Sequence, residues 1–147
     1  MKKLRLIIIT LCLIVFPVTA CVQRQAYRED INSIYQSVDY DLTQLSNTIV
    51  YSQVFDMLSN PSKYDGKIFR LQGYLTSYED DETNETYYSC IVPDASVCCS
   101  EGIEFVIIKG NSYPQPGTDI FVTGMFEKYN RNGIDTCRLI NSEIQEV

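Results

Sequence analysis

The sequence predicts a mainly β domain: a small five-stranded barrel, closed or partly open, behind a short N-terminal helical segment. Three observations carry this expectation. Five strand-like runs follow one another between about Lys67 and Asn141, with turn-forming residues between them. Gly73 sits inside the first and longest run, where a residue without a side chain lets a strand bend sharply. The last two runs are joined by Asn130-Arg131-Asn132-Gly133, a hairpin signal in which Asn-Gly supplies positive φ. A bent first strand and a closing hairpin are what a small sheet needs to curl onto itself.

The chain has 147 residues, enough for one folded domain. Tyr27, Ile31, Ile34, Tyr35 and Val38 recur at helical intervals and predict an amphipathic helix over about 26–38. The run 48–51 is β-branched, and Ser52 is placed to cap a helical turn over 53–58 that Asn60-Pro61 would end. Strands are expected over about 67–78, 86–92, 103–108, 119–129 and 134–141. The acidic stretch 79–85 reads as a solvated hairpin, since it lacks the Gly-centred alternation of a calcium loop. Residues 103–108 are nearly all apolar, which predicts burial on both faces. The Gly- and Pro-containing stretch 109–118 is a connecting loop with no room for a helix.

The N-terminus reads as a targeting segment. Lys2, Lys3 and Arg5 precede an apolar run from Leu6 to Phe16, too short for a comfortable membrane span but the right length for a signal peptide. Its end, Val18-Thr19-Ala20-Cys21, resembles a lipobox, the signal of bacterial lipoproteins. That resemblance implies removal of residues 1–20, acylation of Cys21 with palmitate-type chains, and extracytoplasmic attachment to a lipid bilayer. Residues 21–47 would then be a tether with a short helix, and 48–147 the β domain. Losing three basic residues leaves nine against nineteen acidic ones, a formal charge of −10. Such a surface repels phosphate backbones, so nucleic acid is excluded as an expected partner.

The succession Pro-x-x-Tyr-x-Gly-Lys-x-Phe-x-Leu-x-Gly at 61–73 resembles the entry into the first strand of OB-fold domains of bacterial envelope proteins, over about residues 61–147. The helix usual between the third and fourth strands of that fold is replaced here by the Pro-rich loop. Together with the anchor, the stretch from Cys90 to Phe105 also resembles uncharacterised lipoproteins of Gram-positive bacteria, which implies a location and a fold but no reaction.

That stretch holds Cys90, Cys98 and Cys99; Cys137 is the fourth cysteine of the mature domain. In an exported chain four cysteines suggest two disulfides, with three possible pairings. Adjacent cysteines on an extended strand point apart, so Cys98 and Cys99 are expected to serve different partners. Adjacency of the third and fifth strands, which the OB resemblance implies, would bring Cys99 to Cys137 and leave Cys98 for Cys90. The alternative is a thiolate site for zinc or copper, with Asp94, Glu101 or Glu104 as possible oxygen ligands.

No catalytic constellation is present. There is no His, and only carboxylates such as Asp94 with Glu104 offer acid–base chemistry. The expected function is therefore non-enzymatic and without cofactor: a ligand- or partner-binding module of the cell envelope. Tyr74, Tyr87, Tyr88 and Phe126 are the candidate surface for a glycan or an envelope protein. A metal-binding envelope protein using the four cysteines is the alternative.

Overall fold

One of the three 13-residue strands changes partner half-way along its length. The computed structural model describes residues 37–81, 83–96 and 98–147. Its elements are β1 (Tyr40–Asp41), α1 (Asn47–Ser59), a 3-10 turn (Pro61–Lys63), β2 (Ile68–Asp80), β3 (Glu85–Pro93), β4 (Ser100–Ile107), β5 (Asp119–Arg131) and β6 (Ile134–Glu146). Strand β2 runs antiparallel to β5 from Ile68↔Met125 to Tyr74↔Asp119, then antiparallel to β3 from Tyr74↔Ile91 to Asp80↔Glu85. Strand β3 pairs antiparallel with β4, β4 parallel with β6, and β6 antiparallel with β5. Five strands therefore close a ring of pairings, and β1 adds a short parallel partner to the outer edge of β2.

One face of each strand fills the ring. Phe69, Leu71 and Leu75 from β2, Ile103 and Phe105 from β4, and Phe126 from β5 are among the fully buried side chains. Strand β4 departs from the expected burial on both faces. Ile103 and Phe105 are buried, but Val106 is 39% exposed and Glu104 points away from the core. This is the alternation of a sheet with one wet face, and it holds although β4 is parallel to one neighbour.

Gly73 stands where β2 changes partner. A side chain there would put its Cβ 2.3 Å from the Ile91 carbonyl oxygen and 2.7 Å from the Cys90 sulfur. The two strands come this close because nothing projects between them. The Asn132-Gly133 turn is also as expected, with φ of 51° and 88°. However, Asn130 and Arg131 belong to β5, paired with Asp135 and Ile134, so the turn is two residues shorter than the sequence suggests.

Helix α1 packs against β3 and β4 and corrects the reading of 48–51 as a β-branched run. Val50, Val54 and Met57 lie one helical turn apart and are all buried, so packing overrides local β preference. Ser46 takes the N-cap position, and Ser52 lies inside the helix with its hydroxyl donating back to the Thr48 carbonyl at 2.8 Å. The segment expected as tether also contributes. Tyr40 and Asp41 pair with Phe69 and Arg70, Tyr40 stacks on Phe69 at 4.7 Å, and Leu42 is buried. The expected signal peptide, Cys21 and the helix expected over 26–38, but for its last two residues, lie outside the described residues.

Gly73→Ala should destabilise the domain by about 1–3 kcal/mol, because its obstacle includes backbone. Gly102→Ala, whose new methyl would meet only the tip of Ile91, should cost less. Denaturant midpoints of the two variants check the order; an equal or larger loss at Gly102 would contradict it.

Candidate functional site

The outward faces of β3, β4, β5 and β6 converge on one cluster of planar polar groups. Glu104 is at its centre, on β4 opposite Arg138 of the parallel strand β6. Its side chain is only 13% exposed. The carboxylate accepts hydrogen bonds from the Tyr129 hydroxyl at 3.1 and 3.2 Å and forms an ion pair with Arg131, which also donates to the Tyr129 oxygen. The Arg131 guanidinium lies 3.9 Å from the centre of the Tyr87 ring, and that of Arg138 lies 4.1 Å from the centre of the Tyr129 ring. Arg138 in turn donates to Glu127 at 2.8 Å. Burial, reinforced by the Glu104 charge, raises the Tyr129 phenol above its ordinary pKa, so this hydroxyl stays protonated and donating. Period-two spacing produces the array: residues 127, 129 and 131 share one face of β5.

A second cluster forms where β3 turns into β4. The Asp94 carboxylate accepts from the backbone N–H of Cys98 at 3.1 Å and of Cys99 at 3.4 Å, and the Asp94 N–H donates to the Cys99 carbonyl at 2.9 Å. Ser96 adds a hydroxyl hydrogen bond to Asp94 at 2.8 Å, the largest reason that the Asp94 pKa is lowered. These contacts fold the chain into a compact turn and bring the sulfurs of Cys98 and Cys99 to 3.8 Å. The expectation that adjacent cysteines diverge fails here because it assumes an extended chain.

No protein-family model matches the chain, and no curated protein matches it significantly.

All four cysteines of the described domain are free thiols, so neither expected bridge is formed. The third and fifth ring strands, β4 and β6, are indeed neighbours, but their register defeats the expected reach. With Glu104 opposite Arg138, Cys137 aligns with Ile103, and Cys99 lies four residues away along the strand. That is about 13 Å, well beyond disulfide range. Cys90 faces the core opposite Ile103, while Cys98 lies beyond the last rung of the β3–β4 ladder, Pro93↔Ser100. The four sulfurs thus divide into a buried pair of separate thiols and an exposed adjacent pair.

The candidate aromatic surface divides as well. Tyr87 belongs to the outward array. Tyr74, 38% exposed, borders a cleft of about 230 Å³ with Leu42, Val50 and Val92. Tyr88 packs against the core and stacks on Tyr113 at 3.6 Å. Phe126, 1% exposed, is core and not ligand surface, because it lies on the inward face of β5. Asp94 and Glu104 belong to different clusters and do not form a paired-acid site. Arg131 was missed because it was assigned to the hairpin turn; the alternation of Glu127, Tyr129 and Arg131 was the signal that could have placed it.

Burial pushes the Cys90 thiol up to about 12 and the Cys137 thiol to about 11, with the Glu104 charge adding to the second. Brief alkylation of the folded, reduced chain at neutral pH should therefore label Cys98 and Cys99 while sparing Cys90 and Cys137. Peptide mapping by mass checks this, and early label at Cys90 or Cys137 would contradict the burial described here.

Proposed function

We propose that this chain is a membrane-anchored extracytoplasmic lipoprotein whose ring of strands is an OB-like barrel, acting as a non-catalytic module that binds a glycan of the cell envelope. The outward array around Glu104, Arg131 and Tyr87 carries the binding part. OB folds bind oligosaccharides and oligonucleotides on the outer face of their second and third strands, flanked by the loops that follow strands one and four. On this reading strands β3 and β4 take those places in the ring, and the connections from β2 to β3 and from β5 to β6 are the corresponding loops.

The chemistry favours a neutral, hydroxyl-rich ligand. Guanidinium and carboxylate groups each engage adjacent hydroxyls with two parallel hydrogen bonds, and a tyrosine ring offers an apolar face beside them. The positive charges of Arg131 and Arg138 are already paired with Glu104 and Glu127, and the mature chain is strongly acidic, so a polyanion gains little. The anchoring part rests on the cationic start, the apolar run and the lipobox-like Val18-Thr19-Ala20-Cys21.

Purified wild-type protein should co-sediment with insoluble cell-wall glycan, and Tyr87→Ala and Arg131→Gln should each weaken this at least about tenfold while retaining the β circular-dichroism spectrum. No co-sedimentation of the wild type, or binding indifferent to both changes, would overturn the glycan assignment.

For the anchor, an alkyne-tagged fatty acid supplied to bacteria expressing the chain should label the wild type and leave Cys21→Ser unlabelled. Equal labelling of the two, or none in either, would rule out acylation at Cys21.

A further inference from the structure

The exposed turn between β3 and β4 has the donor set and the dimensions of a metal chelate. A tetrahedral Zn²⁺ ion takes sulfur at about 2.3 Å and carboxylate oxygen at about 2.0 Å, so two sulfurs on one ion are about 3.8 Å apart and a sulfur and an oxygen about 3.5 Å apart. The Cys98 and Cys99 sulfurs are 3.8 Å apart, and the Cys98 sulfur is 3.5 Å from an Asp94 oxygen. All three donor atoms lie within 4.8 Å of one another. Among the described residues no other group of three or more Cys, Asp or Glu side chains comes together in this way.

We propose that Asp94, Cys98 and Cys99 form a surface Zn²⁺ site, with the fourth coordination position left to water or to a ligand from outside the chain. Three arguments beyond the distances support it. First, the turn is already set: Asp94 is held by the two cysteine N–H groups and by Ser96, so little ordering remains to be done when the ion arrives. Second, the surroundings suit a cation. Glu101 is close enough for its charge to act on Cys99, and it accepts a 3.5 Å hydrogen bond from Tyr51 of α1. Third, the mixed donor set discriminates between metals. Copper(I) is selected by soft sulfur donors, whereas two thiolates with a carboxylate suit the borderline Zn²⁺ ion.

As two Zn–S bonds form, two thiol protons pass to solvent, and no oxidant or reductant is consumed. Cys98 and Cys99 are exposed, so the ion enters and leaves without unfolding the domain, and this is a site for exchange. It is also not the four-sulfur site the sequence suggested, because Cys90 and Cys137 lie in the core.

The test uses the full chain, metal-free and kept reduced, titrated with Co²⁺ and then with Zn²⁺ against a chromophoric chelator. One equivalent of Co²⁺ should give a thiolate-to-metal charge-transfer band that Zn²⁺ abolishes, and bound Zn²⁺ should shield Cys98 and Cys99 from alkylation. Cys98→Ser and Cys99→Ser should each weaken the band and weaken Zn²⁺ binding by more than about tenfold. Asp94→Asn keeps an oxygen to accept the backbone N–H bonds, so the turn survives, and its Zn²⁺ affinity should still fall about tenfold or more. The proposal is overturned if the reduced, folded wild type takes up no Co²⁺ or Zn²⁺. It is equally overturned if the Cys98→Ser/Cys99→Ser double variant binds them as the wild type does, which would place the metal elsewhere.

Discussion

The close approach of β2 and β3 at Gly73 is the constraint on which the rest of the fold depends. A strand that keeps one partner along its length extends a sheet, whereas one that passes from β5 to β3 between Ile68 and Asp80 forces the sheet to curl. The passage takes place where the Ile91 carbonyl occupies the space of a missing side chain. Once β2 has turned, β5 and β3 lie on opposite sides of it, and β4 and β6 must pair in parallel to complete the ring. That parallel pairing fixes the register Glu104↔Arg138, which sets both the polar array outside and the positions of the thiols inside.

Much of this order was legible in the sequence because it is carried by local signals. The five ring strands, the Asn-Gly hairpin and the helix-free loop after β4 each follow from residues close together in the chain. What was not legible depends on distant packing. Thr48, Ile49 and Val50 are β-branched, yet they lie in the first turn of α1 because Val50 and Val54 pack into the core. Residues 40–42 read as tether, and only the exposed edge of β2 and the rings of Tyr64 and Phe69 give Tyr40 a place. A run of apolar residues in β4 looked buried on both sides, but Val106 shows that apolar composition alone does not count the layers of a fold.

The aromatic residues illustrate the same division at the site. Tyr87, Tyr88 and Phe126 look alike as candidates in the sequence, and the parity of each position decides its fate. Phe126 shares the inward parity of Ile120 and Val122, while Tyr129 and Arg131 have the opposite parity and meet Glu104 outside. A partly buried carboxylate such as Glu104 is stabilised only when its lone pairs are met, and here a phenol and a guanidinium from the neighbouring hairpin meet them. The array therefore ties β4 to the β5–β6 hairpin while leaving Tyr87, Arg138 and Glu127 partly exposed. One set of contacts both closes the ring and presents a surface.

The cysteines show how a correct pairing of strands can still mislead. Adjacency of β4 and β6 is real, but disulfide formation depends on register as well as adjacency, and four residues of offset separate Cys99 from Cys137. Neither could the direction of Cys98 and Cys99 be deduced from their adjacency in sequence. Two consecutive side chains diverge on a strand and can converge in a turn, and it is Asp94, accepting both backbone N–H bonds, that decides between the two. The carboxylate that shapes this turn is also the third donor beside the two sulfurs. Local geometry and local chemistry therefore have a single origin here: the residue that folds the turn is the one that completes the proposed chelate.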